Sequence, residues 1–592
     1  IPNLPIDVKS KVQVREDGFR FRDTSGTLGT TQVRLEGLLV PRQGLNGSTF
    51  TISAGGPAFE EIIDQVGTLK VAAGRFDLSG KLQMLEDTVQ FDNVTLKRNH
   101  GELSVDLELG LSASHPWMKF DLQMRGSDIS AMLAGTERIA INEMPYSIVA
   151  RGERDGELWS IDNVTLDAGD MNLRAAGELA FGDDKARSLF RFRGIIPDLS
   201  AVGKIDDRPM PPQRLDWDVT VSSSDGELRM NDIRIGVGDN EISGSMLYKS
   251  GDVPELTLEL LSDSIEIAAL LEERTSEPDS ESPPNSGRLI PDVAVPFETM
   301  KKLNAAVRVK ISKLQLDGLN LRDAHLNAEL RDGRLDVHDT GFRGKSGILN
   351  AHAVVDPHQG EAKVSVNVVA KDVVLGTTNW NLDPAMIWNT SINVDAVGND
   401  LRTLLGNSNG MIFMDVRGGH SDKKRLTSLL LGDLLDEVIG VLNPFNESDS
   451  AIQFDCRIVP AKIDNGVMAL APNAFIQTEK MRIAARSTIN LKTEDIEAAI
   501  QSTPRRGVGV SAGQFINPFI QISGTLAKPR LGVDEKGVLI KGGAAVATGG
   551  LSLVATGLWD RVKNSDDACN AAAEAGRKSL HDRFPKNLTN SQ

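Results

Sequence analysis

Histidine and cysteine are scarce in this chain, which has 8 His and 2 Cys in 592 residues. Two cysteines cannot build a disulfide framework or a thiolate metal cluster, and the histidines show no metal-ligand spacing. Positive charge is also in deficit, because 65 Lys and Arg stand against 82 Asp and Glu, for a net charge of −17. Since nucleic-acid binders need a basic face for the phosphates, this balance argues against that class.

Motifs that would indicate catalysis fail when their context is considered. Gly509–Gly513 has the Gly-x-Ser-x-Gly spelling of a nucleophile elbow, but the following Gln-Phe-Ile-Asn-Pro is not the helix start that the motif requires. Carboxylates are spread along alternating positions, so no pair stands out as an acid and a base. We therefore expect no catalytic residue, no metal and no cofactor, and we do not expect an enzyme.

Alternation of apolar and polar residues is the dominant pattern of the chain. It is clear in Leu103–Leu109, Phe120–Met124, Leu256–Leu260, Val307–Ile311 and Val364–Val368. This period is typical of strands with one wet face, which antiparallel sheets permit. The 55 glycines and 25 prolines supply turns between many short strands. The sequence therefore predicts a mainly β fold of antiparallel strands.

An internal repeat accompanies the alternation. Similar segments begin at Asn93, Asn163 and Asp232, so that the period is about 70 residues. Weaker copies begin near Asp23, Asp339 and Asn473. Each copy then continues with an alternating strand, a turn and a second strand.

Changes in composition suggest four regions. Residues 1–271 carry the clearest repeats, and 272–296 form an acidic, Pro/Ser-rich segment that we expect to be a disordered loop. Residues 297–535 form a second β region. Residues 536–592 form a Gly-rich apolar C-terminal segment with a polar tail.

One segment of the second β region breaks the β pattern. Residues 426–442 have apolar side chains at helical spacing, namely Leu426, Leu430, Leu434, Val438 and Leu442. Two interpretations stay open: a helix that covers part of a sheet, or a helix that contacts a membrane or caps a lipid groove. The uncharged stretch 542–559 is at the lower limit for spanning a bilayer, but its five glycines favour a packed or interfacial hairpin.

The two cysteines, Cys456 and Cys569, also allow two interpretations. They could pair in an oxidising compartment. However, Cys456 lies on the apolar side of the alternating segment Ile452–Ile458, which favours a buried free thiol that behaves as a small apolar residue.

The C-terminal half resembles the AsmA family of bacterial envelope proteins. The resemblance rests on the paired strands and Asp-Gly turn of Ala306–Leu335, the Asn-Pro-Phe segment Leu442–Asp449, Asn517–Leu531 and the tail ending at Leu558–Arg561. It covers about residues 300–570, whereas 1–271 share only the repeat style.

The resemblance implies an architecture and a role. Family members have an N-terminal inner-membrane helix and a long periplasmic β-rich body, and they are similar to bridge-like lipid-transfer proteins. We thus expect an elongated array of antiparallel strands curled into an open hydrophobic groove, with a few amphipathic helices toward the C-terminus. We also expect a periplasmic location in a Gram-negative bacterium, and a chain that begins after the membrane anchor.

The expected function is transfer of phospholipids between the inner and outer membranes in support of outer-membrane biogenesis. The expected partners are phospholipids, both membranes and other envelope proteins, with no nucleic acid. The alternative is a non-enzymatic factor that assists assembly of outer-membrane proteins, with its sheets closed on themselves.

Groove-lining residues follow from the apolar positions of the alternating strands. The candidates for lipid contact are Leu103, Val105, Leu107, Leu256, Leu258, Leu260, Val307, Val309, Val364, Val366, Val368, Phe454 and Cys456. The same residues would form an ordinary core if two layers packed together. The sequence leaves these two arrangements open.

Overall fold

Long strands joined by tight turns make up most of the structure, which is a computed structural model. It describes residues 5–41, 45–57, 59, 74–98, 101–112, 115–130, 139–182, 185–205, 208–267, 288–316, 319–358, 360–374, 376–377, 386–421, 452–505, 519–534, 562 and 565–581. The chain divides into two units, Ile1–Gly251 and Asp252–Gln592.

The first unit contains one large antiparallel sheet in which each strand pairs with the next. Its fifteen strands are β1 (Ile6–Val14), β2 (Phe19–Leu28), β3 (Thr31–Leu39), β4 (Thr49–Gly56), β5 (Phe76–Met84), β6 (Thr88–Arg98), β7 (Gly101–Gly110), β8 (Trp117–Gly126), β10 (Tyr146–Asp155), β11 (Leu158–Ala168), β12 (Met171–Gly182), β13 (Lys185–Ile196), β16 (Leu215–Ser224), β17 (Glu227–Val237) and β18 (Asn240–Lys249). A small separate sheet joins β9 (Ile139–Ile141), β14 (Gly203–Ile205) and β15 (Arg208–Pro209).

The second unit continues the same style of pairing. Its strands are β19 (Glu255–Glu266), β20 (Asn304–Leu316), β21 (Leu319–Arg331), β22 (Arg334–Arg343), β23 (Ser346–His358), β24 (Glu361–Val374), β25 (Gly376–Thr377), β26 (Ile387–Gly398), β27 (Asn409–Arg417), β28 (His420–Ser421), β29 (Ile452–Asp464), β30 (Val467–Leu470), β31 (Ala474–Thr478), β32 (Met481–Asn490), β33 (Asp495–Pro504), β34 (Phe519–Thr525) and β35 (Lys528–Asp534). Its helices are α1 (Phe297–Met300), α2 (Leu401–Gly406) and α3 (Ala568–His581).

The predicted fold class, mainly β with antiparallel strands, is confirmed. The pair β19–β20 is parallel, which alternation within a strand cannot reveal, because it reports the side of the sheet and not the direction of the neighbour. A parallel neighbour needs a long connection, and residues 267–303 supply it. No helix in the described ranges has the length and apolarity needed to cross a bilayer.

β-Bulges explain the repeat found in the sequence. Asp23, Asn93 and Asp232 each lie at a register shift and have φ of 48°, 48° and 51°. Asn163 also lies at a register shift. Asp and Asn tolerate this left-handed conformation better than other non-glycine residues. Because the bulged strands are β2, β6, β11 and β17, the bulge recurs every four strands of the main sheet and adds twist at each recurrence.

The positions at which the weaker copies of the repeat begin differ in their backbone structure. Asp339 in β22 has φ of 44° and lies at a register shift, as in the first unit. Asp323 in β21 also has a positive φ at a register shift, although it does not begin a copy of the sequence repeat. Asn473 follows the cis peptide bond Ala471–Pro472 and precedes β31.

The expectation of a free thiol at Cys456 is wrong, because Cys456 forms a disulfide with Cys569 of α3. The two cysteines belong to a cluster of buried side chains that also contains Phe413, Ile458 and Ala573. Alternation correctly indicated that Cys456 is buried. It could not show that the covering element is a helix 113 residues away in sequence.

A charged contact supports the same docking of α3 on the sheet. Asp415 of β27 is buried and accepts a bidentate interaction from Arg417. Arg577 of α3 approaches the same carboxylate at 3.3 Å, and its guanidinium lies 5.1 Å from the centre of the Phe413 ring. These contacts pair the buried carboxylate, which would be costly to leave alone.

We predict that Cys569→Ser destabilises the docking of α3 more than it destabilises the sheet. Loss of a bond that closes a loop of this length should lower the free energy of unfolding by about 2–4 kcal/mol. Hydrogen exchange of residues 568–581 should then rise relative to that of β29. Lys578→Ser, at an exposed position of the same helix, is the control and should leave exchange unchanged. Equal protection in both variants would contradict the prediction.

Candidate functional site

An uninterrupted apolar surface covers one face of the main sheet of the first unit. Paired residues on neighbouring strands point to the same side of a sheet, so the register identifies which side chains share a face. One cross-strand row through all fifteen strands contains only apolar residues and glycine: Val8, Gly26, Val33, Ala54, Leu78, Leu96, Leu103, Met124, Ile148, Leu166, Leu173, Gly194, Trp217, Ile235 and Ile242.

A second row on the same face has the same character. It consists of Val12, Phe21, Gly37, Phe50, Leu82, Phe91, Leu107, Phe120, Gly152, Ile161, Gly177, Phe190, Val221, Met230 and Met246. At about 4.8 Å per strand spacing, fifteen strands extend for about 70 Å across the sheet.

Glycines in these rows make room for large rings. A Cβ built on Gly194 would lie 2.2 Å from the Trp217 ring, and one on Gly177 would lie 2.7 Å from the Phe190 ring. Each ring therefore lies over the backbone of the neighbouring strand. A side chain at either glycine would clash with the ring.

This apolar face is not buried under a second layer in the described part of the first unit. A sheet packed against another layer would bury its inward side chains. Most residues of the two rows are half-buried, and Val8, Val12 and Ile235 are exposed. The buried apolar side chains described in this unit are only Phe59, Phe76, Ile129, Ala168, Ile196 and Ile233.

The second unit has an apolar face of the same kind. A cross-strand row from β19 to β33 consists of Leu258, Val307, Ala328, Val337, Ala353, Val366, Val394, Gly410, Ile463, Met468, Ile489 and Ile496. The structure thus places predicted lining residues from distant parts of the sequence side by side, such as Leu258 and Val307, which are neighbours in the parallel pair.

Twelve of the thirteen predicted lining residues lie on these two apolar faces. Three belong to the first unit: Leu103, Val105 and Leu107. Nine belong to the second unit: Leu256, Leu258, Leu260, Val307, Val309, Val364, Val366, Val368 and Phe454. Phe454 is buried and the other eleven are half-buried.

Phe454 and Cys456 are separated from each other by a bulge in β29. Cys456 is on the opposite side of the sheet from Val366, under α3, so it does not line the apolar face. Phe454 pairs with Thr478, on the same side of the sheet as Ile476, and its ring contacts the guanidinium of Arg457 at 4.4 Å on the apolar face. The predicted helix with Leu426, Leu430, Leu434, Val438 and Leu442 lies outside the described residues.

A strap, defined as residues 288–297, covers one end of the apolar face of the second unit. Val295 and Phe297 pack with Leu404 of α2 against Ala396 and Val364. Val364 is therefore covered by protein, whereas Val366 and Val368 lie further along the face.

A buried carboxylate holds the strap. Glu494, which is 1% exposed, accepts hydrogen bonds from the backbone nitrogens of Leu289 at 2.7 Å and Ile290 at 3.0 Å. Arg402 of α2 donates to the carbonyl oxygen of Ile290 at 3.0 Å and pairs with Asp292 at 3.3 Å. The strap is thus fixed at both its backbone and its side chains.

Arg457 is a feature that alternation did not reveal. It interrupts an apolar row on this face that runs through Val373, Trp388, Val416, Arg457, Ile476 and Ile483. Burial lowers the pKa of the Arg457 guanidinium to about 10, so the group stays charged at neutral pH. Because the bulge at the start of β29 shifts the alternation, the sequence pattern alone does not place Arg457 on the apolar face.

The opposite face of the sheet carries ordinary surface charge. Arg191 and Asp218 pair at 2.7 Å, and the hydrogen bond from Arg191 lowers the pKa of Asp218. Arg308 and Glu259 pair across β19 and β20 at 2.7 Å. Each sheet therefore has one wet face and one apolar face. No group of acidic, His or Cys side chains suited to a metal ion occurs within the described ranges.

A sequence model of the AsmA family matches residues 139–472, which is more than half of the chain. The chain belongs to the AsmA family. The match starts at β9 in the first unit and ends just after β30, so it begins earlier than the resemblance in the sequence indicated and excludes Asn517–Leu531. AsmA proteins are bacterial envelope proteins, and membership indicates an envelope-associated role related to lipids or to assembly. No curated protein matches the chain.

We predict that Glu494→Gln releases the strap of this AsmA protein. The amide keeps one acceptor but directs N–H groups at backbone donors, which should cost about 1–3 kcal/mol of local stability. Hydrogen exchange at residues 289–297 should rise while that of β24 stays constant. Glu497→Gln, at an exposed position on β33, provides the comparison. Unchanged exchange in Glu494→Gln would show that the strap is held by other contacts.

Proposed function

We propose that this AsmA protein transfers phospholipids between the inner and outer membranes by shielding their acyl chains on the apolar sheet faces. The observation that carries the proposal is the row of apolar residues and glycine through all fifteen described strands of the main sheet of the first unit, most of which are half-buried. A face of this kind in water needs an apolar occupant, and an acyl chain supplies one.

The energetics suit transfer rather than tight storage. Burial of apolar area contributes about 25 cal/mol per Å², and it has no preferred direction along the surface. Because apolar residues and glycine follow one another through both rows of the first unit, a chain that moves by one strand exchanges one set of apolar contacts for another. Movement therefore requires no bond to be made or broken, and we propose a protein without catalytic residues or cofactor.

The opposite face suits a location in an aqueous compartment. Its ion pairs, such as Arg191 with Asp218, keep it hydrated, while head groups can stay in water at the edge of the apolar face. The disulfide between Cys456 and Cys569 is typical of an oxidising compartment. Both features support the periplasm as the site of action and the two membranes as partners.

Lipids that co-purify with the protein test this proposal. The full chain is extracted in mild detergent, and bound lipid is counted by mass spectrometry. We expect several phospholipids per chain in the wild type. A lipid-free protein with the same elution profile would instead favour the alternative role, in which the protein assists assembly of outer-membrane proteins.

A matched pair of variants tests which face binds lipid. Val366→Glu places a charge in the middle of the apolar face of the second unit, and a charge without a partner is costly beside an acyl chain. We expect bound lipid and transfer between donor and acceptor vesicles to fall several-fold. Asn367→Glu adds the same charge to the opposite face one residue away. This variant should keep both the bound lipid and the transfer between vesicles. Equal losses in the two variants would contradict the assignment of the face.

A further inference from the structure

The cation on the apolar face of the second unit has no counter-ion within the described ranges. Arg457 pairs with no carboxylate among the described residues, and its guanidinium contacts only weak or neutral acceptors. Its Nη2 lies 3.1 Å from the sulfur of Met386 and donates to the carbonyl oxygen of Gly418 at 3.3 Å. The buried Nε atom has no hydrogen-bond partner there.

The surroundings of Arg457 hold the guanidinium in place. The Phe454 ring lies 4.4 Å from it, and Met386 is buried beside it. The neighbouring residues of its row, Val416 and Ile476, are apolar. A desolvated charge without a partner is unfavourable, and an arginine cannot relieve the cost by losing its proton at neutral pH. The position is therefore one that an anion would stabilise.

A second unused donor lies on the same face. Trp388 occupies the same cross-strand row, with Val416 between it and Arg457, so the two backbones are about 10 Å apart. The Nε1 of Trp388 is buried and has no hydrogen-bond partner within the described part of the chain. Met386, which contacts the guanidinium, is two residues before Trp388 in the sequence.

The position of the pair along the strands indicates the shape of the occupant. The strap and α2 cover the end of β26 near Ala396, whereas Trp388 lies at its other end. Between them is a stretch of about 27 Å, at about 3.4 Å per residue. Val394, Ile392 and Thr390 face the same side along it. The face thus has, at one end, a cation without a described counter-ion, and beyond Thr390 the side chains that lead away from it are apolar.

We propose that Arg457, assisted by Trp388, binds the phosphate of a phospholipid whose acyl chains lie along the apolar face of the second unit. Guanidinium groups bind phosphate oxygens through directed, charge-assisted hydrogen bonds, and three of the five N–H groups of Arg457 have no acceptor among the residues that the structure describes. This inference rests on the proposed lipid transfer and adds a head-group site to it.

The test compares a lipid that has a phosphate in its head group with one that has none. Full-length protein is titrated with phosphatidylglycerol and with diacylglycerol, both with the same fluorescent acyl chain. A charge-assisted hydrogen bond in a desolvated site corresponds to about tenfold to hundredfold in affinity. We expect the wild type to prefer phosphatidylglycerol by that factor. Arg457→Met should bind the two lipids equally, and Trp388→Phe should lose part of the preference.

Two further variants control for charge and folding. Arg308→Met removes an arginine from the opposite face and should keep the wild-type preference. Arg457→Lys keeps the charge without the planar fork and should retain an intermediate preference. Because Met replaces an unpaired charge, the thermal midpoint of Arg457→Met should equal or exceed that of the wild type. A purely structural role would lower the midpoint and leave the preference for phosphate unchanged.

The other outcomes separate this inference from the proposed function. Equal binding of both lipids by the wild type would overturn the head-group site while leaving acyl-chain binding intact. If neither lipid binds, the proposed transfer fails as well. Inorganic phosphate is titrated in parallel. Binding of phosphate that depends on Arg457 but does not compete with phosphatidylglycerol would overturn the lipid assignment in favour of a free-anion site.

Discussion

The register between neighbouring strands is the constraint on which both faces of each sheet depend. Side chains alternate sides along a strand, so a slip of one residue would move every apolar side chain of that strand to the wet face. In the first unit the register keeps Leu103, Met124 and Ile148 in line although they come from three strands. Repeated through fifteen strands, this alignment converts local alternation into one continuous surface.

Bulges at Asp or Asn maintain that alignment over a long sheet. Each bulge inserts a residue into one strand and increases its twist, and the polar residue adopts a conformation that costs a β-branched residue more. Because Asn93 and Asp232 occupy equivalent places in the repeat, the extra twist recurs regularly. The repeat is therefore a structural device for shaping the sheet rather than a set of binding sites.

The second unit differs in having parts of its sheet covered. Helix α3 is fixed to the wet face by the Cys456–Cys569 disulfide and by Asp415, and the strap is fixed over the apolar face by Glu494. Both attachments bury polar groups that are well paired, which limits their cost. In contrast, Arg457 is desolvated without an anion from the described part of the chain, and this contrast is the basis for assigning a ligand to it.

The sequence by itself determined the side on which each strand residue lies and the recurrence of the repeat. Period-two alternation is a local consequence of backbone geometry, so Val366 could be assigned to an apolar face and Asn367 to a wet one without knowledge of their neighbours. Only the tertiary structure decided which strands pair, that β19 and β20 run parallel, and that Cys456 meets Cys569. It also placed Arg457 among apolar residues, because a bulge shifts the alternation of β29 and the partners of that strand come from distant segments.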